Sequence, residues 1–351
     1  MQAAWRALHT VHISASGSVL RRIDIASLCR DMPIEQEGYI MYRYVIKRLL
    51  LMIPILLCVV FIVFTIMSLT PGDPGRMILG MNASQEAVDA LNASLGYDKP
   101  FLIRFFDYLN DILHGNFGRS YRNNQPVFDE IFARFPTTLK LSLASIVVTI
   151  VVGIPLGVLA AVKQYSFIDG VSTVFALFIA AVPSFWLALL CILLFSLTLG
   201  WLPPNGIGSI SHYIMPTITL AAAYSASIMR LTRSTMLEAM QQDYIRTARG
   251  KGATEKRVIW RHAIKNALLP VITSTGMAFG GLLGGTIVIE QVFGIPGLGT
   301  LVVMAIRQKD FPQVMAITIF LSAMFCVIML VVDLLYAFID PRIKALYTAK
   351  R

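Results

Sequence analysis

Apolar and polar positions alternate along the chain on the scale of whole segments. Six stretches are predominantly apolar: Leu49 to Leu69, Leu139 to Val162, Val171 to Leu199, Met215 to Thr235, Leu268 to Val292 and Val314 to Ile339. A helix rises about 1.5 Å per residue, so roughly 20 apolar residues cross the ~30 Å bilayer core while pairing every backbone N–H and C=O internally. The pattern predicts an all-α integral membrane protein with six transmembrane helices. Pro183 lies inside the third span and should kink it, because proline removes one helical hydrogen bond. Between the first two spans, turn signals stand at Thr70-Pro-Gly-Asp-Pro74 and Leu95-Gly-Tyr-Asp-Lys-Pro100. Helical periodicity follows around Phe101 to Leu113 and predicts a small helical cap outside the membrane over residues 71–136.

Composition narrows the class. Of 351 residues, 56% are hydrophobic and 14% charged, against about 25% charged in soluble domains; mean hydropathy is +0.68. A water-soluble enzyme is excluded on that ground. The formal net charge of +10 sits mostly between apolar runs, where it orients spans instead of meeting nucleic acid. Arg43, Lys47 and Arg48 precede the first span, Lys163 follows the second, and Arg246, Arg249, Lys251, Lys256, Arg257, Arg261 and Lys265 crowd the connection after the fourth, whereas 200–214 carries no Lys or Arg. The positive-inside rule then makes both termini and the basic connection cytoplasmic.

The four cysteines have neither metal-ligand nor CxxC spacing and read as small buried apolar residues. Residues 1–40 hold no apolar run long enough for a span. They read as a disordered extension or as sequence upstream of an alternative start at Met41; the competing reading is a membrane-surface helix over Ser18 to Met32. Four charges stand near membrane depth. Arg230 and Arg233 are expected to snorkel, Asp333 to pair with a basic group, and Glu290 lies near the outer end of the fifth span. In that span Gly276, Gly280 and Gly284 recur every four residues, with Gly281 and Gly285 alongside. The spacing predicts close packing against another helix of this chain or of a second subunit, or alternatively room for a substrate path.

Residues 238–267 are too patterned for a simple connector. Tyr244 to Lys251 reads as a short helix ending at Gly252, the residue type that takes a left-handed C-terminal position without steric cost. Thr254 then caps a second helix that runs until Pro270 opens the next span. Arg249-Gly-Lys-Gly-Ala-Thr254 lacks the spacing of a phosphate-cradling loop, so energy for any pumping must come from a partner.

This segment resembles the EAA loop of ATP-binding-cassette (ABC) importer permeases, in the branch that moves peptides and nickel. The matching residues are Asp243-Tyr-Ile-Arg-Thr-Ala-Arg-Gly-Lys-Gly252, Arg257-Val258, Arg261-His-Ala263 and Asn266-Ala-Leu-Leu-Pro270. Arg246-Thr247-Ala248 stands where the general pattern has Glu-Ala-Ala, as in the peptide branch. Other pieces agree in order along the chain from Met41: Pro71-Gly-Asp-Pro74, Gly115-Asn-Phe-Gly-Arg-Ser120, Pro136-Thr-Thr-Leu139, Gly200-Trp-Leu-Pro-Pro204, Arg230-Leu-Thr-Arg-Ser234, Glu290-Gln-Val-Phe293, Pro296-Gly-Leu-Gly299 and Asp340-Pro-Arg342.

The resemblance implies a type I ABC importer permease fold: a first span with its basic flank at 41–70, a cap region at 71–136, a five-span domain at 137–340 and a cytoplasmic tail at 341–351. It implies that Asp243, Tyr244, Arg246, Thr247, Ala248, Arg249, Lys251, Gly252 and Arg257 form a coupling loop docking on a cytoplasmic ATPase; the competing role of its basic residues is binding anionic lipid. Implied partners are a second, homologous permease in a heterodimer, two ATPase subunits that use ATP and Mg, and an extracytoplasmic solute-binding protein. The chain itself would bind no cofactor, catalyse nothing and sit in a bacterial inner membrane. The implied cargo is a di- or oligopeptide, with nickel, glutathione or another peptide-like solute as alternatives. The rival class is an ion-coupled secondary transporter, which calls for repeated halves and midplane ionisable residues.

Overall fold

The computed structural model describes residues 34–339 apart from Pro71 and Met81, and side chains between Val45 and Leu335. The N-terminal extension, the alternative Ser18–Met32 helix and the 341–351 tail lie outside the described residues. By contacts the chain divides into residues 52–341 and a smaller unit of 1–51 with 342–351. Among the described residues twelve helices follow in order: α1 (Ile34–Leu69), α2 (Pro74–Leu79), α3 (Gln85–Ser94), α4 (Phe101–Leu113), α5 (Val127–Val162), α6 (Phe167–Ala181), α7 (Ser184–Thr198, π-helical from Ile192), α8 (Ser211–Met240), α9 (Asp243–Gly250), α10 (Glu255–Val292, π-helical over Val258–Ala263), α11 (Leu298–Arg307) and α12 (Phe311–Ile339). Apart from one antiparallel bridge between Arg119 and Pro126, there is no strand among the described residues.

Among the described residues five helices are long and apolar enough to cross a membrane, and the α6–α7 pair makes a sixth span if counted as one. That third span is broken, not kinked: α6 and α7 meet at 102°. Proline disfavours the helical region for the residue before it, and Val182 is extended (φ −80°, ψ 124°), so the helix ends there and Pro183 opens the next. Two boundaries also differ from expectation. The second span starts at Val127, running through Pro136 without interruption. The second helix of the basic connection does not stop at Pro270 but continues as α10 to Val292. Pro270 and Asn266, whose carbonyl loses its donor, are both exposed, so the freed carbonyl is not trapped in the core.

Within the unit 52–341, α8 is the central helix, flanked by α5, α6, α7 and α10. Its contact with α5 is backbone-close. A Cβ on Gly153 would stand 2.9 Å from the Ser225 carbonyl oxygen, and one on Gly157 2.5 Å from that of Met229. Small residues at this spacing gain dispersion contacts that leucines would block. Leu141, Ile146, Ala188, Met215, Leu220, Leu282 and Ile289 fill the centre among α5, α7, α8 and α10. Large apolar side chains stay uncovered on the outside of the bundle, Leu50, Ile53 and Ile62 of α1, Val151 of α5 and Val174 of α6 among them, as on lipid-facing helices.

Candidate coupling site and the opposite pole

At one pole of the bundle, α8 ends at Met240 and α9 begins at Asp243 after a two-residue turn. Eight residues long, α9 is highly polar except for Ile245, which is fully buried among Val158, Ala161, Met236, Ala239, Val258, Ala263 and Ala267 of α5, α8 and α10. Burying one such side chain is worth about 1.5–3 kcal/mol. It is the anchor that holds α9 to the ends of three long helices.

The remaining predicted residues surround that anchor and face outward. Asp243, Tyr244, Arg246, Thr247, Arg249, Lys251, Gly252 and Arg257 are exposed, and Ala248 is half-buried beside the anchor cluster. Gly252 has φ +79°, the Ala253 N–H bonds the Ala248 carbonyl at 3.1 Å and the Gly252 N–H that of Arg249 at 2.9 Å. These two bonds form the Schellman closure, in which the left-handed residue turns the chain back on its helix. The helix ends one residue earlier than expected, with Lys251 at its cap. Thr254 takes the position preceding α10, but its side chain makes no capping bond. Bracing comes instead from Arg249, which spans the turn to Glu255 with Nε–Oε1 at 2.7 Å and Nη2–Oε2 at 3.2 Å. That bond holds the Arg249 guanidinium above its usual range.

The opposite pole is organised around a carboxylate. Glu290, fully buried near the end of α10, accepts a hydrogen bond from Thr138 Oγ1 of α5 at 2.7 Å and from the Thr300 N–H at 3.1 Å. Thr138 in turn accepts the Leu298 N–H at 2.8 Å. The otherwise unpaired N–H groups that open α11 thus close on a buried carboxyl group and the threonine bonded to it, a side-chain closure of the kind a helix N-terminus requires. Close approach requires glycine: a Cβ on Gly297 would lie 2.3 Å from Glu290 Oε1, and one on Gly299 2.5 Å from Ile287 Cα. Thr138 of the Pro136-Thr-Thr138 piece, 152 residues before Glu290, therefore meets Glu290 and the neighbouring Gly297-Leu-Gly299 at one point. Nearby, Ser120 donates to Asp310 in the turn before α12, and both are buried.

Other predicted positions divide. Arg233 does not snorkel: its Nε and Nη2 donate to Asp169 Oδ1 and Oδ2 at 2.6 and 2.8 Å, tying α8 to the first turn of α6. A carboxylate at the third residue of a new helix and 64 residues away offered the arginine a better partner than the interface. The three glycines separate as well. Gly276 and Gly280 face α12, where a Cβ would meet Val332 and Phe325; Gly281 and Gly285 face Tyr224 and Leu220 of α8. Gly284 has nothing within 4 Å of an added Cβ and is exposed, on the same side as Met277 and Val288.

Known proteins resemble this chain over nearly its whole length. Residues 153–345 match the family model described as binding-protein-dependent transport system inner membrane component, and residues 41–143 match its N-terminal companion. The glutathione transport system permease protein GsiC of Escherichia coli strain K12 is 42% identical over 304 residues, covering 87% of this chain and 99% of that protein. The protein of the same name from Salmonella typhi gives the same identity and coverage. Among solved structures, a chain of the MetNI methionine ABC transporter in an inward-facing conformation aligns with a TM-score of 0.50 at 18% identity, covering 62% of this chain and 99% of that one, a likeness of fold.

Proposed function

The chain belongs to the binding-protein-dependent transport system inner membrane component family as a membrane-embedded permease of the ABC importers, and from that premise we propose that it carries short peptides, with α9 as the helix gripped by an ATPase. The observation that supports α9 is its division of labour. Ile245 is held by α5, α8 and α10 with Ala248 half-buried beside it, while the charged residues of the helix are exposed. A groove closing on that outer surface would move Ile245, and with it the ends of three long helices. Gly252 and the Arg249–Glu255 brace keep the segment rigid enough to act as a lever.

In this reading the α9 pole is cytoplasmic, as the clustered Lys and Arg require, and the α11 pole faces outward. Two ATPase subunits supply ATP and Mg chemistry, a solute-binding protein delivers cargo, and a second permease completes the path. Gly284, with Met277 and Val288, belongs to the face toward that path or partner. Gly276 and Gly280 instead pack inside the subunit. Glutathione, a tripeptide, is the first cargo to try, because the GsiC proteins that resemble this chain are glutathione permeases by name. The test is uptake into proteoliposomes containing this chain with its candidate ATPases, second permease and binding protein, offered glutathione and di- to pentapeptides. ATP-dependent uptake of one of these solutes by the full assembly alone is the expected result; uptake by this chain alone on an ion gradient would overturn the assignment.

A further inference from the structure

The amphipathic helix α4 divides around its axis into three sectors. Phe101, Phe105, Tyr108 and Ile112 follow one another at helical spacing, and Phe101, Phe105 and Tyr108 pack with Val60, Phe64, Phe311 and Met315 of α1 and α12. Asp107, Asn110 and Asp111 lie away from the packed face, with Ile103 exposed among them, and Lys99 pairs with Asp107 at 2.7 Å; Arg104, half-buried, flanks the packed face with its guanidinium 4.2 Å over the Tyr97 ring and 5.9 Å over that of Phe64. Between these sectors runs a stripe at i, i+4 and i+11: Leu102, Phe106 and Leu113, exposed at 60%, 65% and 84%. The bundle buries none of it.

The level of this stripe is fixed by its neighbours. Phe64 meets both Phe105 and Phe311 edge-to-face, and Phe311 is the first residue of the last span, directly after the charged turn Arg307-Gln-Lys-Asp310. Beside it, Phe61 touches Phe101 and Phe105, and the exposed flank of α1 continues through Phe61, Ile62, Ile66 and Leu69. The α4 stripe is thus continuous with the surface that the first span turns to lipid, at the height where the spans leave the apolar core. Trp201, exposed in the loop between α7 and α8 at the same pole, is the residue type that settles at this boundary.

We propose that α4 is not part of a water-exposed cap but lies in the lipid–water boundary at the α11 pole, its Leu102, Phe106 and Leu113 stripe among the lipid chains and its Asp107–Asp111 side in water. Interfacial helices of this kind rest roughly 5–10 Å into the headgroup and acyl boundary. The placement relies on the chain being a membrane permease and is independent of the cargo and of the role of α9. In the membrane α4 acts as an outrigger, tying the ends of α1 and α12 to the leaflet surface.

The test uses the full transporter in proteoliposomes with an environment-sensitive fluorescent amino acid at position 102, 106 or 113, or at 107 or 111. Lipids brominated high on the acyl chain should quench the first three by about half, and aqueous iodide should spare them, for a helix at that depth; positions 107 and 111 should behave in reverse. Equal quenching of all five by iodide would overturn the proposal. So would shielding of 102, 106 and 113 that appears only when the binding protein is added, which would make the stripe a protein-docking face. The unmodified transporter, irradiated with lipids bearing a photoreactive acyl chain, should carry adducts within 102–113; adducts on the spans with none on α4 would overturn it equally.

Discussion

The bundle ends in two short helices of similar length, and they are held in opposite ways. At one pole α9 hangs on a single buried side chain, Ile245, with its polar surface open and its ion pairs exposed. At the other, α11 is stitched at its first turn to a buried carboxylate and a threonine from two other helices, with Gly297 and Gly299 where a Cβ would clash. Exposed ion pairs contribute about 0–1 kcal/mol, whereas leaving a buried polar group unpaired costs about 1–3 kcal/mol each. One pole is therefore open to being gripped and displaced from outside, and the other is fixed from within. The contrast gives the subunit a soft handle and a stiff lid.

Substitutions at the stiff pole should have the largest effect. Gly299→Val would drive side-chain atoms into the Ile287 backbone and Glu290, and loss of folded protein on size-exclusion chromatography is the expected outcome. Glu290→Ala should be nearly as severe, since it strands Thr138 and the Thr300 N–H; a stability loss of about 2–4 kcal/mol should appear as a lower melting temperature in detergent. Ile245→Ala should cost about 2–4 kcal/mol of α9 anchoring, read as faster proteolysis within 241–254 while the melting of the bundle stays near that of the parent. Gly252→Ala meets no atom within 4 Å and pays only for its φ of +79°, about 1 kcal/mol. Arg249→Ala, losing an exposed pair, should shift stability by no more than about 1 kcal/mol; a larger shift would mean that the α9 pole is as rigid as its counterpart.

The spans were legible because a run of 20 apolar residues has few folded alternatives in any solvent. The short helix α9 and its turn were legible for a similar reason: Gly252 and the polar run around it are local signals, and the structure puts that glycine at φ +79°. Partners distant in sequence left no such trace. Thr138 and Glu290 are 152 residues apart and Asp169 and Arg233 are 64 apart, so the motif pieces were visible singly while their meeting point was not. Ile245 stands inside the Asp243–Gly252 motif, and its signal there is only that of the one large aliphatic side chain in a polar helix. Gly153 and Gly157 carried the same small-residue spacing as Gly276 and Gly280, and the structure gives them the closer backbone contact. Periodicity grouped Gly284 with its neighbours, yet every fourth residue drifts around the helix, and by Gly284 the row has left the packed face. The break at Val182 exceeded the expected kink because proline constrains the residue before it as well as the bond it removes.

The most direct measurement is the number of solute molecules taken up per ATP hydrolysed in proteoliposomes, comparing the parent assembly with Ile245→Ala. If α9 is the handle, loosening its one anchor should lower uptake per ATP by at least about tenfold, the scale of a 1.4 kcal/mol loss in coupling. An unchanged ratio in a well-assembled Ile245→Ala transporter would contradict the account.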